Sequence, residues 1–429
     1  GKGQELRTSV SYSSFSQSIE LGFTEPYLFD RNIAIGADVF RRDLNSFNFV
    51  NNNRETTFEQ LTTGFQIRAG VPITEYLSAS FRYGLSQDDV TLEPTLFFSD
   101  SNVDGIRGNS PADVCDPLVA GRFLCDALGN RTTSSVGASL IYDDRDNRVR
   151  PTRGQSVVGS IDFAGLGGSV KYIRGRLNGS KHWRVLGDFI FTVSGEGGYI
   201  HSLEKRSSTP GDGIDNVRLT DRFFLGEPQI RGFDIRGVGP RVVRSSTIPG
   251  LDTAGNPINE IVEVTNGRQT DDAIGGRAYY LGRAELEIPL GSGARELGLR
   301  PSIFVDVGAV FKVTQPLLLT DVQTQTFASV DSQGNVSPTG VAAPLYLTTD
   351  AMGAVATTFE AVTGGIANPV ATSFTERFFG DTISPRLSVG FGVNWNSPFG
   401  PFRIDIAKAL LKQPGDDTKL FTFNVGTQF

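Results

Sequence analysis

Residues 419–429 alternate apolar and polar side chains. Phe421, Phe423, Val425 and Phe429 fall on one face of an extended chain, and Thr422, Asn424, Gly426 and Gln428 on the other. A period of two is that of a β-strand. The same period recurs along the chain. Ile19, Leu21 and Phe23 alternate with Glu20, Gly22 and Thr24, and Ile33, Ile35, Ala37 and Val39 alternate with Asn32, Ala34, Gly36 and Asp38. Further segments of this kind cover 54–70, 76–97, 131–144, 153–163, 168–184, 187–201, 276–289, 298–313, 384–396, 402–410 and 419–429. With the opening segment 3–15 they make about fourteen strands, most of them near or above the roughly 9–11 residues that a tilted membrane-spanning strand needs.

The connections sort into two classes that alternate along the chain. Pro26–Arg31, Val71–Tyr76, Asp144–Arg153, Val185–Gly187, Pro289–Leu297 and Ser397–Phe402 are short. The opposite set includes three very long members, about 98–130, 202–275 and 314–383, which are polar and rich in Gly, Asn, Thr and Asp and read as surface loops. Short turns at one end and long loops at the other are the pattern of an outer-membrane barrel, with the long loops extracellular. The reading is therefore all-β: one transmembrane antiparallel β-barrel domain over 1–429, with both chain ends periplasmic. An alternating last strand that stops on an aromatic fits this class, because a closed barrel leaves no strand edge.

Composition agrees. The chain is 38 % hydrophobic, with no run of 18 apolar residues, which excludes a helical membrane protein. Fifty glycines, 31 phenylalanines and a single methionine suit strands and tight turns better than packed helices. A net charge of −7 argues against nucleic acid as a partner. Cys115 and Cys125, the only cysteines, lie in one polar segment that reads as a local loop disulfide of an oxidising compartment. His182 and His201, the only histidines, are far from them, so no zinc site is expected.

Catalytic chemistry is hard to find. Two histidines give no readable Ser-His-Asp arrangement, and no glycine-rich phosphate loop precedes a helix. The expectation is no enzyme and no cofactor. The unusual element is Gly226–Arg241, which carries Arg231-Gly232-Phe233 and then Arg236-Gly237 and Gly239-Pro240. Glycines permit tight backbone turns, and an arginine beside them can form a bidentate pair with a carboxylate. The following strands supply inward-facing acids: Glu285 and Glu287 on 276–289, and Asp306 on 298–313. Pattern alone leaves two readings open, a surface turn over a hydrated lumen or a loop folded back into the barrel.

A resemblance bears on that choice. Arg231-Gly232-Phe233 resembles the Arg-Gly-Phe/Tyr motif in the sixth loop of the BamA family, within the superfamily of barrel insertases and two-partner transporters. Thr24–Phe29 is similar to the family's early periplasmic turn. Asp143–Asn147 with Pro151–Gly154 is similar to its middle turn. Phe304–Gly308 resembles the strand bearing a lumen aspartate, and Ser397–Asp405 and Phe421–Gly426 resemble the last two strands. The matches run in order over nearly the whole chain.

The resemblance implies that Arg231 enters the barrel and pairs with Asp306 and with either Glu285 or Glu287. It implies a last strand that opens as a lateral gate, with Gly426 at its kink and Phe429 at its end. It also implies a sixteen-stranded parent barrel, of which this chain starts at the third strand, without POTRA domains. The function implied is non-enzymatic insertion and folding of β-barrel proteins in the bacterial outer membrane. The expected partners are unfolded outer-membrane proteins, accessory outer-membrane lipoproteins, periplasmic chaperones and outer-membrane lipid. The alternative is a related autotransporter-assembly or two-partner secretion transporter; a passive porin or a surface adhesin stands further off.

Overall fold

The computed structural model describes residues 3–425 apart from 13–15, 51–52, 100, 102–107, 117–119, 121, 208, 210, 252–256, 291–297, 319, 322–328, 331–340, 343–345, 350–354, 359–373 and 398–399. Fourteen strands form one antiparallel sheet. They are β1 (Glu5–Tyr12), β2 (Ser16–Glu25), β3 (Ala34–Val50), β4 (Asn53–Pro72), β5 (Leu77–Thr91), β6 (Gly129–Asp143), β7 (Gly154–Ala164), β8 (Tyr172–Val185) and β9 (Phe189–Ser202), followed by β10 (Ala278–Glu287), β11 (Leu299–Phe311), β12 (Arg386–Ser397), β13 (Gly400–Leu411) and β14 (Phe421–Val425). Each pairs with the strand before and after it, so β1 and β14 are the two ends of the order. Among the described residues no helix is long and apolar enough to cross a membrane, which says nothing of crossing by strands.

The alternation seen in the sequence is the alternation of the sheet's two faces, with the polar face inward. On β13, Arg403, Asp405 and Ala407 are buried while Ile404 and Ile406 are exposed. On β14, Phe421 is 54 % exposed and Thr422 only 3 %. Ile19, Leu21, Phe81, Leu140, Ile161, Leu177, Ile303 and Phe391 all lie on the exposed face. Apolar residues outside and ion pairs inside suit a wall set in lipid. The register carries one inner row across seven strands: Asp143, Ser156, Ser180, Ser194, Arg283, Asp306 and Ser388 are successive cross-strand partners.

Several boundaries differ from the sequence reading, among them the end of β3, which runs on to Val50 rather than stopping at Val39. The first strand, read as 3–15, begins at Glu5 and is described to Tyr12, and 13–15 lie outside the described residues. β5 stops at Thr91 and Pro94–Phe97 forms a helical turn, because proline has no N–H to give to a sheet and is preset for a helix start. Stretches read wholly as loop, 202–275 and 314–383, contain strands. Arg241–Leu251 lies between Pro257–Ala273 and Phe374–Phe379, with Thr320–Asp321 beyond, in a separate four-stranded sheet. By compactness the chain divides into one unit of 1–242, 271–317 and 378–429, holding the large sheet, and a second of 243–270 and 318–377.

Candidate functional site: an arginine loop inside the wall

The segment 217–240 turns back among the wall strands because it is apolar where it meets them. Val217, Phe223, Leu225, Ile230, Phe233 and Val238 are buried in one cluster with Tyr172 of β8, Ile200 of β9, Leu281 of β10 and Val310 of β11. Phe233 and Ile230 are fully enclosed. The Glu227–Pro228 peptide is cis. Gly232 has φ +84°, and a Cβ there would lie 3.1 Å from the Cβ of Ser388 and 3.3 Å from that of Ala407. Both the backbone and the space therefore call for glycine.

This fold carries Arg231 into the inner face of β10 and β11. Its Nε donates to Asp306 Oδ2 at 2.7 Å and its Nη2 to Asp306 Oδ1 at 2.6 Å, a bidentate pair. The backbone N–H of Arg231 donates to the same Oδ2 at 3.0 Å. The remaining arm, Nη1, donates to Glu285 Oε2 at 2.8 Å. The guanidinium lies 3.4 Å from the ring centroid of Phe304, a cation–π stack. Asp306 is 0 % exposed. Glu285 also accepts from Ser302 Oγ at 2.6 Å and from Arg403 Nη2 at 3.3 Å, and Arg403 Nε holds Asp405 at 2.8 Å. The result is a continuous chain of charges from the loop through β10 and β11 to β13.

The loop is held equally firmly to the connection before β14. Asp234 N–H donates to the Asp417 carbonyl at 3.1 Å, and Asp417 N–H donates to that of Gly237 at 2.9 Å. Arg241 Nη1 reaches Asp417 Oδ2 at 2.8 Å, and Lys419 Nζ reaches Glu227 Oε2 at 2.9 Å. Lys419 N–H donates to the Gly232 carbonyl at 3.2 Å. Nearby, Arg386 and Asp416 form a wholly buried pair at 3.0 Å.

Of the residues singled out from the sequence, Arg231, Gly232, Phe233, Glu285 and Asp306 come together. Glu287 does not join them; it faces Arg300 at 3.5 Å, two residues along the same face of β10. Gly426 and Phe429 lie outside the described residues. Cys115 and Cys125 are bonded, with Cα atoms 5.6 Å apart. The sequence reading missed Phe304, Arg403, Asp405, Arg386 and the Asp416–Asp417 pair. The first three share the inner parity of their strands and were open to the same reasoning as Asp306. Asp416 and Asp417 lie in a Gly-Asp-Asp-Thr turn with no periodicity to mark them.

Fold and site together define a membrane-type β-barrel wall locked from within by an arginine loop. The description "Omp85 superfamily domain" matches residues 1–429, and the chain belongs to that superfamily, as a barrel domain of its BamA family. It is 25 % identical over 429 residues to the outer membrane protein assembly factor BamA of Neorickettsia risticii, covering 100 % of this chain and 41 % of that protein. It is 24 % identical over 433 residues to the protein of the same name from Neisseria meningitidis serogroup B, covering 100 % and 43 %. The chain thus spans less than half the length of these two relatives. The crystal structure of BamA from Haemophilus ducreyi lacking POTRA domains 1–3 shares the fold, with a TM-score of 0.60 at 17 % identity over 98 % of this chain and 64 % of that one.

Proposed function

We propose that this chain is the barrel domain of an outer-membrane assembly factor that inserts and folds other β-barrel proteins without enzymatic chemistry. The observation that carries the reading is the Arg231–Asp306–Glu285 lock inside the wall, in a chain whose relatives are named assembly factors. A passive pore needs no loop pinned by a buried ion pair across its lumen. In this reading the long loops are extracellular, the chain ends are periplasmic, and β14 belongs to a lateral gate. Gly426 follows β14 in the sequence and is the kink residue of this reading; a glycine inside a strand weakens it by roughly 0.5–1 kcal/mol relative to alanine. Client strands add to the gate edge through main-chain hydrogen bonds. Burial of their apolar faces in lipid, with every backbone group paired, drives release. Unfolded outer-membrane proteins are the substrates; periplasmic chaperones deliver them, and accessory lipoproteins complete the machine.

The test depletes the full-length parent protein in cells and follows folded outer-membrane barrels by heat-modifiable gel mobility. General loss of folded barrels is the expected outcome. Loss of one secreted protein alone points instead to a dedicated transporter, and no loss points to a porin or an adhesin.

A further inference from the structure

At the end of the wall with the short connections, a vestibule of about 550 Å³ lies between the 144–153 turn, β8, β9, β10 and the Arg231 loop. Six arginines and five acids line it, so formal charge barely favours either sign and the arrangement decides. Most acids there already hold a cation: Glu285 and Asp405 hold Arg231 and Arg403, Glu287 holds Arg300 and Glu227 holds Lys419. Asp188 sits at the rim in the β8–β9 turn.

Arg184 has no ion-pair partner among the described residues. Arg150 projects from a turn whose backbone is fixed from below, with Asn147 Oδ1 accepting from the N–H groups of Val149 and Arg150 at 2.8 and 2.9 Å. His182 lines the same vestibule, 9 % exposed, with Nδ1 2.9 Å from Thr192 Oγ1 and Nε2 without a hydrogen-bond partner. The vestibule continues into a cleft of about 210 Å³ beside Ser156, Ser180 and Ser194, a row of cross-strand hydroxyls that ends on Arg283. Arg283 already donates to the carbonyls of Pro228 and Gln229. Buried polar groups are normally paired, and a vestibule that sets Arg184 and Arg150 beside the open His182 Nε2 and a row of hydroxyls is complementary to an anion.

We propose that this vestibule binds a small oxyanion, a phosphate or a carboxylate, between Arg150 and Arg184. Inorganic phosphate and acetate are titrated calorimetrically into the detergent-solubilised full-length parent protein, with chloride at matched ionic strength as the blank. Saturable phosphate binding is expected, weakened about tenfold in Arg184→Gln and in Arg150→Gln, the loss of one charged hydrogen bond. Both side chains are exposed, so both variants keep the heat-modifiable fold. Saturable acetate binding that falls in the same variants extends the support to carboxylates. Glycerol phosphate and phosphatidylglycerol vesicles separate a free phosphate from a lipid headgroup; binding of either that falls in the variants supports the site. An adventitious ion only, bound equally by wild type and both variants, overturns the proposal, as does no saturable binding above chloride.

Discussion

Arg231 reaches a carboxylate that solvent cannot. Asp306 is fully enclosed and its two oxygens receive three N–H donors, all from Arg231. Removing one partner of a buried pair strands the other charge, at a typical cost of 3–5 kcal/mol. Arg231→Ala is expected to lower barrel stability by about that amount, read as a fall in the temperature at which gel mobility changes. Assembly by the full-length protein should fall with it. Arg231→Lys should not restore either, because an ammonium cannot span Asp306 and Glu285 or stack as a plane on Phe304. Unchanged heat-modifiability in Arg231→Ala would remove the lock from the account. Gly232→Ala is a second test of the same seat. It keeps every charge, yet asks a left-handed φ of a residue with a Cβ already crowded by Ser388 and Ala407. A loss of about 1–2 kcal/mol is expected, measured by the same shift.

Strands of this wall solve a recurring problem of inward charge with glycine. Gly137 of β6 lies directly between Arg82 of β5 and Asp162 of β7 in the register. The two charged side chains meet over it in an ion pair. A Cβ at 137 would stand 2.6 Å from Arg82 Nε and closer still to Asp162. The same relation holds at Gly22 between Arg7 and Asp38, while at Gly392 the pair that crowds the glycine, Arg403 and Asp405, comes from one neighbouring strand. Gly137→Ala should therefore force the pair apart and destabilise the barrel by roughly 1–3 kcal/mol, whereas Gly159→Ala, a lipid-facing glycine with only Leu177 at 3.8 Å, should not. Equal effects in gel-shift melting of the two variants would refute the distinction.

Turns carry their own electrostatics. Asp146, in the 144–153 turn, accepts from the Thr152 hydroxyl and from the N–H groups of Thr152, Arg153 and Asn147. The Thr152 hydroxyl, first, and these amides hold its carboxyl well below the usual Asp range. A lowered folded value stabilises the turn above the ordinary Asp pKa of about 4 and loses that contribution as pH falls through the lower folded value. Protection of the Thr152 and Arg153 amides, measured relative to the intrinsic exchange rate at each pH, should fall on acidification below about pH 4. Asp146→Ala should show fast exchange already at neutral pH; protection that does not respond to either change would contradict this.

At the scale of the molecule the two compact units predict a separation of tasks. The lock, the inner ion pairs and the 412–420 connection all belong to the unit of 1–242, 271–317 and 378–429. Replacing 318–377 by a short linker should leave that unit's heat-modifiable fold and the parent's assembly activity within about twofold. Complementation of a depleted strain measures it, and loss of assembly with the fold intact would assign a working role to the second unit.

All fourteen wall strands were legible as alternating segments, because burial in lipid on one face and water or ion pairs on the other imprints a period of two on each strand by itself. Parity also marked Asp306, Glu285 and Glu287 as inward. It could not choose between the two glutamates, since both have the same parity; the choice fell to distance, with Arg231 reaching Glu285 while Arg300 takes Glu287. The strands at Arg241–Leu251 and Phe374–Phe379 escaped notice because they join one sheet across more than a hundred residues. The staple from Asp417 to Asp234, Gly237 and Arg241 escaped for the same reason. The sequence by itself determined the fold class, the number of wall strands and which face of each holds charge, all consequences of local periodicity. Only the tertiary structure decided which charges meet, because a salt bridge depends on where distant segments arrive in space and not on the order in which they are written.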